Sequence, residues 1–482
     1  MSKKKKTVEE LLEEALVPEE EQPYEVLENW TWVKFDSVIK TSSGRANAVK
    51  QKNYEEEGEI PVIDQGKRLI SGFTNNPEDV YTGELPVIIF GDHTRCLKWI
   101  DFKFAQGADG TKVLNPLEKF YPKYFYYLLK TVNLPDKGYS RHFKYLKDST
   151  LPIPPFNEQK RITEKVERLL SKSEEAKQLI EEVKETITMQ FNAVLNKAFN
   201  GDLTSQWRKR KNSKLTRAEF VTQLKNERIK LCKTNKNKEY YNECFQSLLE
   251  QPKGLPDGWI IVTFELICDN ITKGTTPKAT EITPEGDVPF LKVYNIVNNK
   301  IDFEYKPGFI PKMVNENKLK RSIVYPGDVL MNIVGPPLGK VAIVPPTYPE
   351  WNINQAIAIF RPIKGVLKEY IYYSLLYEKT LVEVFQETRG VVGQSNISLE
   401  QCRKLKVALP PLDEQKEIVK AIKYTFEKLK IVENNIDYLN GLLEKTAESV
   451  MTKAFRGELG TNDPSEENAI ELLKEILQEQ VK

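Results

Sequence analysis

The chain writes one phrase twice: "IPPFNEQKRI" begins at Ile153 and "LPPLDEQKEI" at Leu409. Pro154 aligns with Pro410 at an offset of 256, and the match runs without a gap to "NKAFNGDL" from Asn196 and "TKAFRGEL" from Thr452, where Phe199 meets Phe455. Two segments of equal length with the same end-signals mark an internal duplication.

Each copy predicts one long helix. A proline pair is followed by Asn157 or Asp413 as the expected N-cap, with Glu158 or Glu414 in the first turn. Each copy closes at a glycine, Gly201 or Gly457, suited to the left-handed cap. Apolar residues fall three and four apart between these ends. In the first copy they are Ile162, Val166, Leu169, Ala176, Ile180, Val183, Ile187, Phe191, Val194 and Ala198. In the second they are Ile418, Ile422, Leu429, Val432, Ile436, Leu439, Leu443, Ala447, Val450 and Ala454, with Ser173 opposite Leu429 and Thr425 opposite Leu169. This is a coiled-coil stripe with a four-four step near Ile187 and Leu443. Each helix would run on the order of 60 Å at about 1.5 Å per residue. A helix this long with one apolar seam needs a partner, and the other copy is the nearest.

The duplication extends backwards. Trp30 in "ENWTWVKF" matches Trp259 in "DGWIIVTF" at an offset of 229, and "GEIPVI" from Gly58 matches "GDVPFL" from Gly286. The organisation expected is an N-terminal helical segment (1–29), a first head (30–150), a central long helix (151–203), a basic linker (204–258), a second head (259–409), a distal long helix (410–459) and a C-terminal helical tail (460–482). From Phe199 to Trp259 is 60 residues; the 27 after Phe455 plus the 30 up to Trp30 give 57. Joining the termini would make the chain a near-perfect cyclic repeat, which predicts a pseudo-two-fold body and two antiparallel helices.

Both heads are dense in short β-branched runs broken by Gly, Pro and Asn, such as "LPVIIFGDHTR" and "GDVLMNIVGPPLGKVAIV". Each holds one helix-like stretch, "YPKYFYYLLKTV" or "LKEYIYYSLLYEK". The fold class is therefore α+β, with two mixed-sheet heads separated by a long antiparallel two-helix coiled coil. Each head carries 18 Lys+Arg against 15 Asp+Glu, while the linker is more basic. So mild a charge disfavours broad electrostatic gripping of DNA and leaves room for readout by shaped loops.

Loops with suitable chemistry for base edges or phosphates are present in both heads. In the first they hold Lys67 and Arg68; His93, Thr94 and Arg95; and Arg141, His142 and Lys144. In the second they hold Thr272, Lys273, Thr275 and Thr276; Lys292 and Asn295; Lys340; and Gln394, Ser395 and Asn396. Taken singly, each is more economically a solvated turn residue; the clustering carries the signal.

Catalytic signatures are missing. The two histidines both lie in the first head and lack metal-ligand spacing, so a duplicated histidine site is excluded. "IPPF" lacks the polar first residue of an amino-methyltransferase motif, and "GPPLGKV" is one residue short of a P-loop. No nucleophile–base set is evident, and no catalytic or metal residue is assigned. Five cysteines without C-x-x-C spacing, no apolar run near 20 residues and no signal-peptide pattern predict a reducing cytoplasm.

Two variable heads, each followed by Pro-Pro-(Leu/Phe)-(Asp/Asn)-Glu-Gln-Lys-x-Ile, a long helix and Lys-Ala-Phe-x-Gly-(Asp/Glu)-Leu, resemble the specificity subunit of type I restriction-modification systems. The likeness runs from "NWTWVKF" to the tail "LGTNDPSEENAIELLKEIL", and "LTSQWR" after the first helix fits it. It implies that the heads are target recognition domains, each reading half of a split double-stranded DNA target. The helices would set the spacer and dock two modification subunits. It further implies that this chain is a non-catalytic member of an adenine-N6 methyltransferase complex and has no cofactor of its own. S-adenosylmethionine would belong to the modification subunits, which reach adenine by base flipping, and restriction subunits would add ATP-driven translocation and cleavage. The competing readings are a coiled-coil protein scaffold that ignores DNA and a fused methyltransferase or nuclease. Sequence-selective duplex binding counts against the scaffold, and S-adenosylmethionine binding by the isolated chain would support the enzyme.

Overall fold

A computed structural model describes residues 6–42, 48–108, 110–138, 140–211, 215–250, 254–389 and 396–481. The chain forms two compact units, Met1–Glu181 with Ile436–Lys482, and Glu182–Asn435. Both divisions fall inside the two long helices, Phe156–Phe199 and Leu412–Ala454.

In the first unit a four-stranded antiparallel sheet runs in the order Ile39–Ser42, Thr111–Pro116, Val87–Gly91, Leu97–Ile100. Val87 to Phe90 are all buried because the sheet is covered on both faces. Ile88, Phe90 and Leu114 face a core shared with the tyrosine-rich helix Pro122–Thr131. Val87, Ile89 and Val113 face Ile63 and Phe104. That second face meets a three-stranded sheet in which Ile60–Ile63 pairs antiparallel with Gly72–Thr74 and parallel with Ala105–Gln106. The head is closed by Thr31–Lys34, antiparallel to Thr150–Ile153, the strand that feeds the long helix.

The second unit repeats the strands of this frame and adds two features: Ile323–Val324 pairs antiparallel with Trp351–Ile353, and Ile296–Val297 pairs with Lys300–Ile301. Its sheet order is Cys268–Lys273, Ile357–Pro362, Val329–Asn332, Val341–Ile343. Val288–Leu291 pairs antiparallel with Phe309–Ile310 and parallel with Trp351–Ile353. Ile260–Thr263 pairs with Lys406–Leu409, which enters the second long helix. Apolar alternation again separates Met331 and Phe360, facing the helical core, from Leu330 and Ile359, facing Trp351 and Ile353.

In each unit the beginning of one long helix lies against the end of the other. Ile162, Val166 and Leu170 share a core with Val450, Met451 and Ala454 in the first. Leu195 and Ala198 share one with Ile418 and Ile422 in the second, where the Phe191 and Phe426 rings meet edge to face at 4.4 Å. The pair is antiparallel, as the stripe predicts. The helices end before Gly201 and Gly457, whose φ angles of +84° and +76° are left-handed.

Three sequence expectations change. Asn157 and Asp413 lie inside the helices, because Pro155 and Pro411 already accept the first helical bonds from Gln159 at 3.0 Å and Glu414 at 2.9 Å. Val183, Val432 and Leu439 of the apolar stripe are exposed, so the periodic pattern alone does not bury every one of its positions. Residues 204–258 hold the helices Arg217–Lys230 and Asn235–Gln246, with Phe220, Val221, Leu224 and Phe245 buried in the same core as Trp259.

The two ends of the chain make the corresponding body in the first unit. Helix Val8–Ala15 packs with Ala469–Val481 through Leu11, Leu12, Leu473 and Leu477. Ala469 donates to Asn29 O at 3.0 Å, and Tyr24 Oη donates to Phe455 O at 2.9 Å.

Candidate nucleic-acid interface

The repeated Glu-Gln joins each head to its helix. Trp30 Nε1 donates to Glu158 Oε2 at 2.9 Å, and Trp259 Nε1 to Glu414 Oε2 at 3.0 Å, all four side chains being buried. The other carboxylate oxygen accepts from Thr461 in one unit, and from Thr204 and Arg208 in the other. Gln159 Oε1 accepts the backbone N–H of Tyr121, and Gln415 Oε1 that of Leu367, each the N-cap of its head's tyrosine-rich helix. Burial pushes the Glu158 carboxyl above the usual carboxylate range, against the hydrogen bonds from Trp30 and Thr461 and the charge of Arg161.

Above this joint the first head gathers its three candidate loops at one end of the sheet. The turn after strand Val87–Gly91 is tied to the loop after Ile60–Ile63: His93 N donates to Gln65 Oε1 at 3.1 Å, and Thr94 Oγ1 bonds Gln65 O. The third loop joins through His93 Nδ1, 3.2 Å from Ser140 O, and through His142 N, which donates to Asp92 O at 2.8 Å. Lys67, Arg68, Arg141 and Lys144 stand exposed on these loops, with Lys144 Nζ over the Tyr145 ring. Arg95 is partly engaged inside the head by an ion pair to Asp136 at 3.2 Å.

His142 does not belong to this surface. It is fully buried, with Nδ1 against Asp92 O at 3.1 Å, because it anchors its loop from beneath.

In the second head the candidates meet around the segment 353–357. Thr272 and Lys273 end the edge strand beside Ile359 and Ala358. Gly274 follows, so close to Ile353 that a Cβ would lie 2.0 Å from its carbonyl oxygen; only glycine lets the strand pass there. Lys273, Thr275 and Thr276 are exposed, and Thr272 is half-buried. Asn354 N donates to Leu291 O at 3.0 Å, which brings Lys292 to the same end. Ile333 N donates to Ala356 O at 2.8 Å, and Val334 bridges Asn396, which brings in the loop carrying the half-buried Lys340.

Asn295 is a second correction. It is buried, with Oδ1 accepting from Lys292 N and Nδ2 donating to Asp302 O and Tyr305 O, so its amide is consumed in shaping its own loop. Gln394 and Ser395 lie outside the described residues.

Sequence reasoning passed over the residues that hold these loops. Lys98, in the strand Leu97–Ile100, is buried and donates to Asp64 O at 2.7 Å and Leu69 O at 3.5 Å. Burial pulls its ammonium below the usual lysine range, and neighbouring Asp64 opposes the shift. Asn332 plays a related part in the second head, donating to Pro337 O at 2.7 Å. A lysine in an alternating strand reads as solvent-facing, so only the fold exposes its role.

The arrangement is a pair of equivalent α+β frames, each presenting a distinct set of polar loops at one end of its sheet. Among the described residues, no group of three or more His, Cys, Asp or Glu could hold a metal ion, and no helix is long and apolar enough to cross a membrane.

Residues 27–185 and 256–440 each match the type I restriction modification DNA specificity domain, and the chain belongs to that family. It is 23% identical over 457 residues to the type I restriction enzyme EcoBI specificity subunit of Escherichia coli, covering 90% of this chain and 86% of the relative. With the Escherichia coli EcoDI specificity subunit the identity is 22%, covering 89% of each chain. A solved chain from work on complex assembly and conformational transition of the type I R-M system shares the fold, with a TM-score of 0.63 and 16% identity. That alignment covers 91% of this chain and 100% of the other.

Proposed function

We propose that the protein is the DNA specificity subunit of a type I restriction-modification complex, each head reading one half of a bipartite double-stranded target. The observation that carries this is a shared strand frame in two heads whose end loops differ in sequence, within a chain matching two DNA specificity domains. Equal frames with unequal loops suit two different half-sites. The loops offer Arg and Lys for guanine, Asn for adenine and hydroxyls for either, while phosphate contacts fix the register.

The antiparallel long helices act as the spacer between half-sites. Readers on one face of a duplex need a separation of about 34–36 Å or a multiple of it. The helices also dock two modification subunits. This is supported by apolar side chains left exposed along them, namely Leu179, Val183, Met189, Ile431, Leu439 and Leu442, which a two-helix seam does not cover. This chain's part is to bind and orient DNA. S-adenosylmethionine and transfer to the N6 of a flipped adenine belong to the modification subunits, and ATP-driven translocation and cleavage to restriction subunits. The setting is the cytoplasm.

Assembly with the modification subunits, followed by methylation mapping, tests the reading. The expected result is adenine methylation at one interrupted motif, with sequence-selective duplex binding that weakens as salt rises. Binding without sequence preference would refute it.

A further inference from the structure

We propose that the loop 64–71 is a preorganised reading element of the first head, and that buried Lys98 is its positioning residue. The inference rests on the reading that this head contacts DNA.

The loop is closed from beneath at both ends. Lys98 Nζ donates to the carbonyls of Asp64 and Leu69, and it lies 3.7 Å from Asp64 Oδ1. The same Asp64 oxygen accepts from Gly66 N at 2.7 Å and Ser71 Oγ at 2.5 Å. Gln65 ties the loop sideways to the His93–Thr94 turn. The backbone at both ends is thereby fixed before any ligand arrives, which lowers the ordering entropy of binding.

What this frame presents is unusual for a surface loop. Lys67 and Arg68 are exposed and have no carboxylate partner among the described residues. Beside them Leu69 and Ile70 are 49% and 38% exposed, although both are large and apolar. A cation pair next to an apolar pair matches a major-groove step with guanine O6 and N7 acceptors beside a thymine methyl. The loop would thus read a guanine next to a thymine or a thymine-rich step. The partners of this buried ammonium are the loop's own carbonyls, which lose their buried donor if Lys98 is removed. The pseudo-equivalent strand of the second head, Val341–Ile343, holds only apolar residues, so the device belongs to the first head.

The test uses the full chain assembled with its modification subunits, scoring methylation rates on duplexes with single base changes in either half-site. Lys98→Met should lower discrimination about tenfold at the first head's half-site and leave the other half-site unchanged. Lys98→Arg should restore part of that loss. Ser71→Ala, a milder change, should move the same half-site in the same direction, which keeps the test open if Lys98→Met fails to fold. Equal relaxation at both half-sites would overturn the proposal, because it would mark general loosening. Unchanged discrimination with Lys98→Met and Ser71→Ala, alongside loss in a Lys67→Ala/Arg68→Ala variant, would overturn the positioning role alone. Unchanged discrimination in that double variant as well would overturn the reading by this loop.

Discussion

The indole N–H of Trp30 donates to a buried carboxylate oxygen of Glu158 across 2.9 Å, joining the head's entry strand to the first turn of its long helix. Glu158→Ala leaves that donor buried and unsatisfied, a loss of about 1–3 kcal/mol. Glu158→Gln keeps an acceptor and should lose less. Denaturant unfolding of the three chains checks the order; equal stability of Glu158→Ala and wild type would contradict it.

The same group makes a pH prediction. Its folded pKa is raised by burial, so the folded state holds the proton more tightly than the unfolded state. That stabilising contribution is fully present below the ordinary carboxylate range and is lost as pH rises through the raised folded value. Wild-type stability relative to Glu158→Gln should therefore decline across that window and level off above it. A difference independent of pH would count against the buried-carboxyl account.

In the second head, Arg361 grips Asp328 through Nε at 2.8 Å and Nη2 at 2.7 Å, and Asp328 also accepts from Tyr325 N. Asp328 is almost fully buried, whereas Arg361 keeps some solvent contact. Asp328→Ala should cost roughly 2–3 kcal/mol, below the range for a fully buried pair. The loss should appear in hydrogen exchange of strand Val329–Asn332 and leave the first head's sheet unchanged. Uniform loosening of both heads would sink this.

Exposed apolar residues on the long helices predict where modification subunits bind. Met189→Lys with Leu439→Lys should weaken assembly by tenfold or more and leave the melting temperature of the isolated chain within a few degrees. Sedimentation of mixtures would show it. Undiminished assembly would move the docking surface elsewhere.

Much of this architecture is legible in the sequence because duplication repeats its own landmarks. The long helices follow from period and end-signals, and the α+β heads from short β-branched runs. Three features escaped. The helices within 204–258 bury few residues, Phe220, Val221 and Leu224 among them, and their many lysines mask so short an apolar patch. Asn295 and His142 have the residue types of readers, but their side chains serve their own loops, which only tertiary packing decides. The strand equivalence of the heads was only partly visible at Trp30/Trp259 and "GEIPVI"/"GDVPFL", because loop lengths between strands differ.

The helices as a spacer make a quantitative prediction. One heptad added to both long helices lengthens each by about 10 Å, on the order of three base pairs of duplex. Methylation mapping on a library of spacers should show a longer preferred gap with both half-sites intact. An unchanged gap would remove the helices from that role.

The most direct measurement exchanges residues 30–150 for the corresponding head of a relative and maps the methylated motif of the assembled complex. Independent reading predicts that one half of the motif is replaced and the other half and the gap persist. A change in both halves, or in neither, would contradict it.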